Sequence, residues 1–99
     1  MLNGQIVLVT GASRGIGKAI ALTLGGSGAT VIGTATSTEG ANNISKIFSE
    51  KDILGKGMKL NVTDNDQITG VLKAVTEEYG VVDVLINNAG ITRDNILVR

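Results

Sequence analysis

Apolar residues along the chain alternate between short continuous runs and longer stretches with helical spacing. Four runs, at 5–10, 29–34, 58–62 and 83–87, predict β-strands, because a strand covered on both faces is apolar along its whole length. Between them, three stretches repeat apolar residues three and four positions apart, as an amphipathic helix does. The pattern therefore predicts an α/β protein in which strands and helices alternate.

Polar residues and glycines mark where the helices begin and end. The first helix is predicted to begin near Gly15 and to end in the glycine-rich segment 25–28. Ser37 is placed to cap the second helix and Asp64 the third, since short polar side chains accept hydrogen bonds from the free N–H groups there. Gly80 ends the third helix. The apolar positions of the three helices are Ile16, Ala19, Ile20 and Leu24, then Ala41, Ile44, Ile47 and Phe48, then Ile68, Val71, Leu72, Val75 and Tyr79.

Short turns between these elements imply parallel strands joined by right-handed crossovers. The expected architecture is the N-terminal half of a doubly wound parallel sheet, the Rossmann fold, with strand order 3-2-1-4. Ligands bind such a sheet between the carboxyl ends of strands 1 and 4, where Gly11 and Asn88 lie. Strand 4 would be an exposed edge and one face would lack helices. We therefore expect residues 1–99 to form one domain, the N-terminal portion of a protein about two to three times longer.

The segment between the first strand and the first helix has the spacing of a dinucleotide-binding turn. A helix N-terminus carries free N–H groups and a partial positive charge, which attract a pyrophosphate. Glycines let the backbone approach the phosphates and let the helix pack on the strand. A turn that binds nothing is the alternative, but the strand before it and the helix after it favour a nicotinamide dinucleotide. The segment reads Thr10, Gly11, Ala12, Ser13, Arg14, Gly15, Ile16, Gly17.

The residues after the second strand favour NADP(H) over NAD(H). Proteins that bind NAD usually place an acid there to hold the ribose hydroxyls, whereas the first acid in this chain is Glu39. Thr36 and Ser37 offer hydroxyl groups to a 2′-phosphate, and Arg14 can supply a guanidinium. The alternatives are a solvated Arg14 and a Thr36 hydroxyl that serves only the loop.

Composition narrows the possible functions further. Nine basic and nine acidic side chains leave zero net charge, so nothing favours nucleic acid or an anionic membrane surface as a partner. The absence of cysteine and histidine excludes disulfides and cysteine-based zinc sites, and we predict no metal site. Segment 1–4 does not have the character of a signal peptide, and no apolar run reaches the roughly 18 residues of a membrane span. These features are compatible with the cytoplasm, where we expect the protein.

Two motifs together resemble the short-chain dehydrogenase/reductase family. The first is the Thr-Gly-x-x-x-Gly-x-Gly pattern at 10–17, and the second is the Asn-Asn-Ala-Gly pattern at 87–90, after the fourth strand. The resemblance covers essentially the whole chain and implies NADP(H) as the cofactor. The residues that it assigns to cofactor binding are Gly11, Ala12, Ser13, Arg14, Gly15, Ile16, Gly17, Thr36, Asn61, Val62, Asn88, Ala89 and Gly90.

The resemblance also implies what these residues do. The glycine-rich segment would contact the pyrophosphate and the adenosine ribose, and Thr36 the region of the 2′-phosphate. Asn61 and Val62 would flank the adenine, although family members often carry an acid where this chain has Asn61. Segment 88–90 would line the nicotinamide side, and Asn88 would also help fix the sheet. The alternatives are a turn role for Asn61 and bonds from the two asparagines at 87 and 88 to local backbone.

Segments 31–37 and 90–95 resemble those of family members that reduce 3-oxoacyl groups carried on acyl carrier protein in bacterial fatty acid synthesis, commonly as homotetramers. An acetoacetyl-coenzyme A reductase is the alternative within the family, and a non-catalytic nucleotide-binding module or fragment is the alternative from another class. The family's catalytic Tyr, Lys, Ser and Asn lie downstream of the Asn-Asn-Ala-Gly motif, so no catalytic residue is assigned here. Tyr79 is expected in the core, and Asp64 and Asp66 are expected to be helix caps rather than an acid–base pair.

Overall fold

The structure, a computed structural model, describes residues 2–88 and 96–98 as a sheet with helices packed on both faces. The order along the sheet is β3-β2-β1-β4-β5, and β1 to β4 are parallel. This confirms the α/β class and the strand order 3-2-1-4. The elements are β1 Ile6–Thr10, α1 Gly15–Gly26, β2 Thr30–Ala35, α2 Thr38–Glu50, β3 Gly55–Lys59, α3 Asn65–Glu78, β4 Val84–Asn87 and β5 Ile96–Val98.

Alternate residues of the central strands enter two apolar clusters on opposite faces of the sheet. On one face, α1 and α2 cover a cluster that includes Val7 and Val9, which are 2% and 0% exposed. On the other face, α3 covers Leu8 and Ile32. Burial on both faces explains why β1 and β2 are apolar without alternation. The second group, called the α3-side cluster below, consists of Leu8, Ile32, Leu60, Val71, Val75 and Val82.

Both expectations about uncovered parts of the sheet are wrong. Strand β5 pairs antiparallel with β4, with Leu85 opposite Leu97, so backbone groups of β4 that would face solvent find partners. The second face does not lack a helix, because the crossover from β3 to β4 carries α3 across β2 and β1. The fourth parallel strand is therefore not the edge of the sheet.

The third strand lies earlier in the chain than predicted, at Gly55–Lys59 rather than 58–62. The strand contains two glycines and two lysines among its five residues, so it does not form an apolar run in the sequence. Pairing with β2 defines it, with Ile32 opposite Lys56. A Cβ on Gly57 would overlap the carbonyl oxygen of Ala41, so the glycine is there because α2 lies directly against the strand.

The buried face of α1 agrees with the predicted one at Ile20 and Leu24, which are partly buried against the cluster under α1 and α2, but not at its other two positions. Ile16 is 73% exposed and Ala19 is exposed. The helix instead buries Gly17 and Ala21, because small residues allow it to lie close to the sheet.

Side-chain caps start α2 and α3 as predicted. The Ser37 hydroxyl accepts a hydrogen bond from the backbone N–H of Gly40 at 3.0 Å. The Asp64 carboxylate accepts from the N–H groups of Asp66 and Gln67 at 3.0 and 3.2 Å. The expectation that Asp66 is itself a cap is wrong, since it lies inside the first turn of α3. No helix in the described part of the chain is long and apolar enough to cross a membrane.

Candidate dinucleotide-binding site

The glycine-rich turn, residues 10–17, lies at the edge of the sheet where the four parallel strands end, called the carboxyl edge below. Gly11 and Gly15 have φ angles of 66° and 64°, a left-handed conformation that favours glycine. The backbone N–H of Ala12 donates to the carbonyl oxygen of Thr34 at 2.8 Å, which holds the turn against β2. The exposed residues 13–16 therefore project from a turn whose first half is held against β2.

Gly17 lies in the first turn of α1, at the closest approach of that helix to the end of β1. A Cβ built there would overlap the carbonyl oxygen of Gly11 and would lie 2.6 Å from Nδ2 of Asn88. Any side chain would push α1 away from the sheet. The glycine thus keeps the helix N-terminus at the carboxyl edge.

The N-terminus of α1 lacks the side-chain cap that the other two described helices have. Its N-cap residue is Arg14, whose side chain makes no capping hydrogen bond, and the first turn contains no acid. In contrast, Ser37 caps α2 and Asp64 caps α3. The free N–H groups and partial positive charge of α1 suit an anion, and the exposed Arg14 adds a full positive charge beside them.

Two hydrogen bonds join the ends of β1 and β4. The hydroxyl group of Thr10 donates to Oδ1 of Asn87 at 2.9 Å, and Nδ2 of Asn88 donates to the carbonyl oxygen of Gly11 at 3.2 Å. The Asn88 amide therefore braces the glycine-rich turn from the neighbouring strand. The predicted site residues Ala89 and Gly90 lie outside the described residues.

On the other side of the turn, the ends of β2 and β3 bring Thr36 and Asn61 to the same edge. The backbone N–H of Leu60 donates to the carbonyl oxygen of Ala35 at 2.8 Å. The next residues along the two chain segments, Asn61 and Thr36, therefore lie just beyond the ends of adjacent strands. Thr36 and Asn61 are both exposed. Val62 is half-buried and packs against the α3-side cluster.

The predicted site residues therefore form a line along the carboxyl edge. In strand order, Asn61 follows β3, Thr36 follows β2, Gly11 follows β1 and Asn88 follows β4. Adjacent strands lie about 4.8 Å apart, so the line from β3 to β4 is about 14 Å long. An extended dinucleotide can lie across such an edge, with its pyrophosphate at the central helix N-terminus.

Sequence reasoning missed two residues that shape this edge. The N–H and the hydroxyl group of Thr63 both donate to Oδ1 of Asn61, at 3.0 and 2.7 Å. The Asn-x-Thr spacing of this Asx turn was the available signal. A Cβ on Gly40 would lie 2.7 Å from Cβ of Ala35 and 3.8 Å from Cβ of Ser13, so Gly40 lets the start of α2 approach the glycine-rich turn. The residues around Gly40 in the sequence do not indicate this contact.

An ion pair between Lys56, in β3, and Glu78, at the end of α3, lies away from the carboxyl edge. Nζ of Lys56 is 2.7 Å from Oε1 of Glu78; the hydrogen bond raises the pKa of Lys56 and lowers the pKa of Glu78. Tyr79 is half-buried against the α3-side cluster, and its pKa is raised by burial and then by Glu78. Among residues 2–88 and 96–98, no three His, Cys, Asp or Glu side chains could hold a metal ion.

Comparison with known proteins assigns this architecture to a class. The chain belongs to the short chain dehydrogenase family, whose model matches residues 5–97. The family consists of oxidoreductases that use NAD(H) or NADP(H). The glycine-rich turn and the asparagines after β4 lie within the matched region.

Individual relatives are similar along almost the whole chain. The chain is 61% identical over 98 residues to a 3-oxoacyl-(acyl-carrier-protein) reductase of Vibrio cholerae, a match that covers 99% of the chain and 39% of the relative. It is 59% identical over 96 residues to the enzyme of that name from Escherichia coli, covering 97% and 38%. For Pseudomonas aeruginosa the identity is 49% over 98 residues, covering 99% and 40%. The chain thus spans about two fifths of the length of these relatives.

Proposed function

We propose that the protein takes part in the NADPH-dependent reduction of a 3-oxoacyl group, carried on acyl carrier protein, to the 3-hydroxyacyl group. NADPH, when bound, supplies the hydride for carbon 3 of the acyl group, while the carbonyl oxygen gains a proton. The names of the relatives support the substrate class. The cytoplasm as location and a homotetramer as assembly are part of the same proposal.

The cofactor is supported above all by the fit of the glycine-rich turn to a pyrophosphate. Gly11 and Asn88 occupy the space that a Cβ on Gly17 would need, so α1 can begin close to the turn only with a glycine there. The N-terminus of α1 has no side-chain cap, so its N–H groups are available to a pyrophosphate. In this proposal, the turn from Gly11 to Gly17 holds the pyrophosphate. Asn88, Ala89 and Gly90 line the nicotinamide side, and Asn61 and Val62 flank the adenine.

The preference for NADP(H) is supported by the absence of an acid between the end of β2 and Glu39, in the first turn of α2. A carboxylate at the end of β2 would repel a 2′-phosphate, whereas Thr36 is exposed there and can donate a hydrogen bond. The exposed guanidinium of Arg14 can form a bidentate contact with the phosphate. Ser37 accepts a hydrogen bond from Gly40 as the cap of α2, but its own O–H can still donate, so Thr36 and Ser37 can both offer a hydroxyl group to the phosphate.

The reaction is tested with protein expressed from the complete reading frame. We expect NADPH oxidation with acetoacetyl thioesters, faster on acyl carrier protein than on coenzyme A. Faster turnover on coenzyme A would favour an acetoacetyl-coenzyme A reductase. Binding of NADPH without turnover of any 3-oxoacyl thioester would overturn the reductase and favour a nucleotide-binding module.

The cofactor preference is tested by Arg14→Ala in the same protein. The Michaelis constant for NADPH should rise about tenfold, because a charge-assisted phosphate contact is lost, while that for NADH changes little. The matched control is Lys73→Ala, an exposed cation on α3, which covers the other face of the sheet. An unchanged NADPH/NADH preference in the Arg14 variant would remove this residue from the site.

A further inference from the structure

An exposed turn, residues 2–5, precedes β1 at the edge of the sheet where the parallel strands begin, opposite the carboxyl edge. The backbone N–H of Gln5 donates to the carbonyl oxygen of Leu2 at 3.0 Å, which makes Asn3 and Gly4 the central pair of a β-turn. Gly4 has a φ angle of 85°, a left-handed conformation that glycine adopts without strain. The shape of the turn therefore favours glycine directly after Asn3.

The peptide bond between Asn3 and Gly4 is open to chemical attack. Both residues are exposed, and a Cβ built on Gly4 would have no described atom within 4 Å. The backbone N–H of Gly4 makes no hydrogen bond within the described part of the chain, and glycine has no side chain to shield its own nitrogen. That nitrogen is therefore free to approach Cγ of Asn3, and asparagine is among the chemically labile residues.

We propose that Asn3 is a site of spontaneous covalent modification by way of a cyclic imide with Gly4. Hydroxide removes the proton of the Gly4 N–H, the nitrogen bonds to Cγ of Asn3, and the side-chain amide takes a proton from water and leaves as ammonia. Water then opens the imide, with its hydroxyl group going to a carbonyl carbon and its proton to the nitrogen. Addition at Cγ breaks the new bond and gives aspartate. Addition at the main-chain carbonyl breaks the original peptide bond and gives isoaspartate.

The isoaspartyl form changes the path of the chain where the turn is attached to the end of α1. Its backbone runs through Cβ and Cγ of residue 3, which inserts one extra carbon before Gly4. The N–H of Leu2 donates to the carbonyl oxygen of Ser27 at 2.8 Å, and Leu2 packs against the cluster under α1 and α2. The Asn3 side chain lies over Gly28, where a Cβ would overlap its Oδ1. A longer turn cannot keep all these contacts, so the attachment is weakened.

An asparagine of α2 provides an internal comparison. Asn43 is exposed like Asn3, but it lies inside the helix and precedes Ile44, which is 2% exposed. The N–H of a residue inside a helix is bonded to the carbonyl group four residues earlier, and the branched side chain of Ile44 shields its nitrogen. That nitrogen becomes reactive only when the helix opens. Asn43 should therefore remain intact while Asn3 converts.

The conversion is measured on protein expressed from the complete reading frame and kept for days in mildly alkaline buffer. Mass spectrometry of its peptides should show conversion at Asn3 at least about tenfold faster than at Asn43. An isoaspartyl methyltransferase should transfer labelled methyl groups from S-adenosylmethionine to the product. Conversion at Asn3 that is no faster than at Asn43 would overturn the proposal.

Asn3→Gln tests the cyclic imide, because the longer side chain has to close a larger and less favourable ring. The N-terminal peptide of this variant should keep its mass and accept no methyl groups. The matched control is Asn43→Gln, in which methylation should equal that of the wild type. Conversion of Asn3→Gln at the wild-type rate, or loss of methylation in Asn43→Gln, would overturn the assignment to Asn3.

The structural effect is measured on the isoaspartyl form purified from aged protein. Its Tm should be about 2–4 °C lower than that of fresh protein, since contacts of Leu2 are lost. Asn3→Asp carries the same negative charge on an unaltered backbone, and its Tm should stay within about 1 °C of the wild type. An isoaspartyl form as stable as fresh protein, or an equal loss in Asn3→Asp, would overturn the weakened attachment.

Discussion

At the scale of single residues, the candidate site depends on glycines, whose lack of a side chain lets neighbouring elements approach closely. Gly17, Gly33 and Gly40 each lie where a methyl group would be less than 3 Å from an atom of the turn or its neighbours. On Gly33, for example, a Cβ would lie 2.8 Å from that of Ala12. These close approaches bring β2, α1 and α2 against the glycine-rich turn, and they leave the backbone at the carboxyl edge open to a ligand.

Gly17→Ala should lower the free energy of unfolding by about 2–3 kcal/mol, because backbone and the Asn88 amide have to move to admit the methyl group. Chemical denaturation measures this change. The matched control is Gly70→Ala in α3, where nothing lies within 4 Å of the new Cβ. That variant should gain about 0.5–1 kcal/mol from helix propensity. Equal effects of the two substitutions would contradict the steric role of Gly17.

At the same scale, we expect the contribution of the Lys56–Glu78 ion pair to stability to depend on pH. The pKa of Glu78 is lowered from its ordinary value of 4.5, so its contribution is present above that value and is lost as the pH falls through the lowered pKa. The pKa of Lys56 is raised from 10.5, so its contribution is present below that value and is lost as the pH rises through the raised pKa. Between these limits the ion pair is complete, although both side chains are exposed.

Glu78→Gln should therefore lower Tm slightly at neutral pH and not at acid pH, where Glu78 is protonated in the wild type too. Scanning calorimetry across the pH range measures the difference, which about 1 M salt should also remove. Glu77→Gln is the control, since Glu77 forms no ion pair with the described residues. A difference that persists unchanged in acid would contradict the ion pair as its cause.

At the scale of elements, the three described helices differ in how they begin. Capping side chains occupy the first N–H groups of α2 and α3, whereas α1 begins without one. The cap of α3 extends further, because Oε1 of Gln67 accepts from the backbone N–H of Asn61 at 2.9 Å and Nε2 of Gln67 donates to Asp64 at 3.2 Å. The start of α3 and the end of β3 therefore form one hydrogen-bonded unit.

Asp64→Ala should cost about 1 kcal/mol in the free energy of unfolding, since two N–H groups of α3 lose their acceptor. Asp64→Asn should retain most of the stability because an amide oxygen also caps helices well. Denaturant titration of both variants provides the comparison. Equal losses in the two would point to the negative charge at the helix N-terminus, rather than the hydrogen bonds, as the origin of the effect.

At the scale of the whole molecule, apolar surface is exposed beside the sheet on both faces. A groove of about 360 Å³ between α3 and β4 is lined by Leu72, Thr76, Val81, Val82 and Leu85. On the other face, α1 exposes a second apolar surface at Ala19, Ile20, Thr23 and Leu24. Val81, at the rim of the first groove, is 72% exposed. Contiguous apolar surface of this kind marks sites that other protein segments or ligands cover.

The 99-residue chain should therefore bind an environment-sensitive hydrophobic dye at the α3–β4 groove. Val81→Asp should reduce the fluorescence of the bound dye, because a charge at the rim makes the groove unfavourable for an apolar ring. Leu54→Asp is the control, since Leu54 is 65% exposed and does not line the groove. Equal losses of fluorescence in both variants would show that the dye does not report on this groove.

Much of the fold follows from local patterns. The unbroken apolar runs predict β1 and β2, and β4 to within one residue, because burial on both faces requires apolar residues at every position. Ser37, Asp64 and Gly80 predict helix ends because capping involves residues only a few positions apart. The glycine-rich turn is equally local, so its spacing indicates the candidate site.

Other features were decided only by the tertiary structure. Strand β3 exists because β2 pairs with it, although its glycines and lysines carry no pattern of their own. The bond from Asn88 to Gly11 joins residues 77 positions apart, and α3 covers the second face only because of the direction of its crossover. Such contacts depend on which surfaces meet after the elements have formed. By itself the sequence determined the class of fold and the glycine-rich turn, because both depend on residues close together in the chain; the packing of distant segments decided how that turn is held.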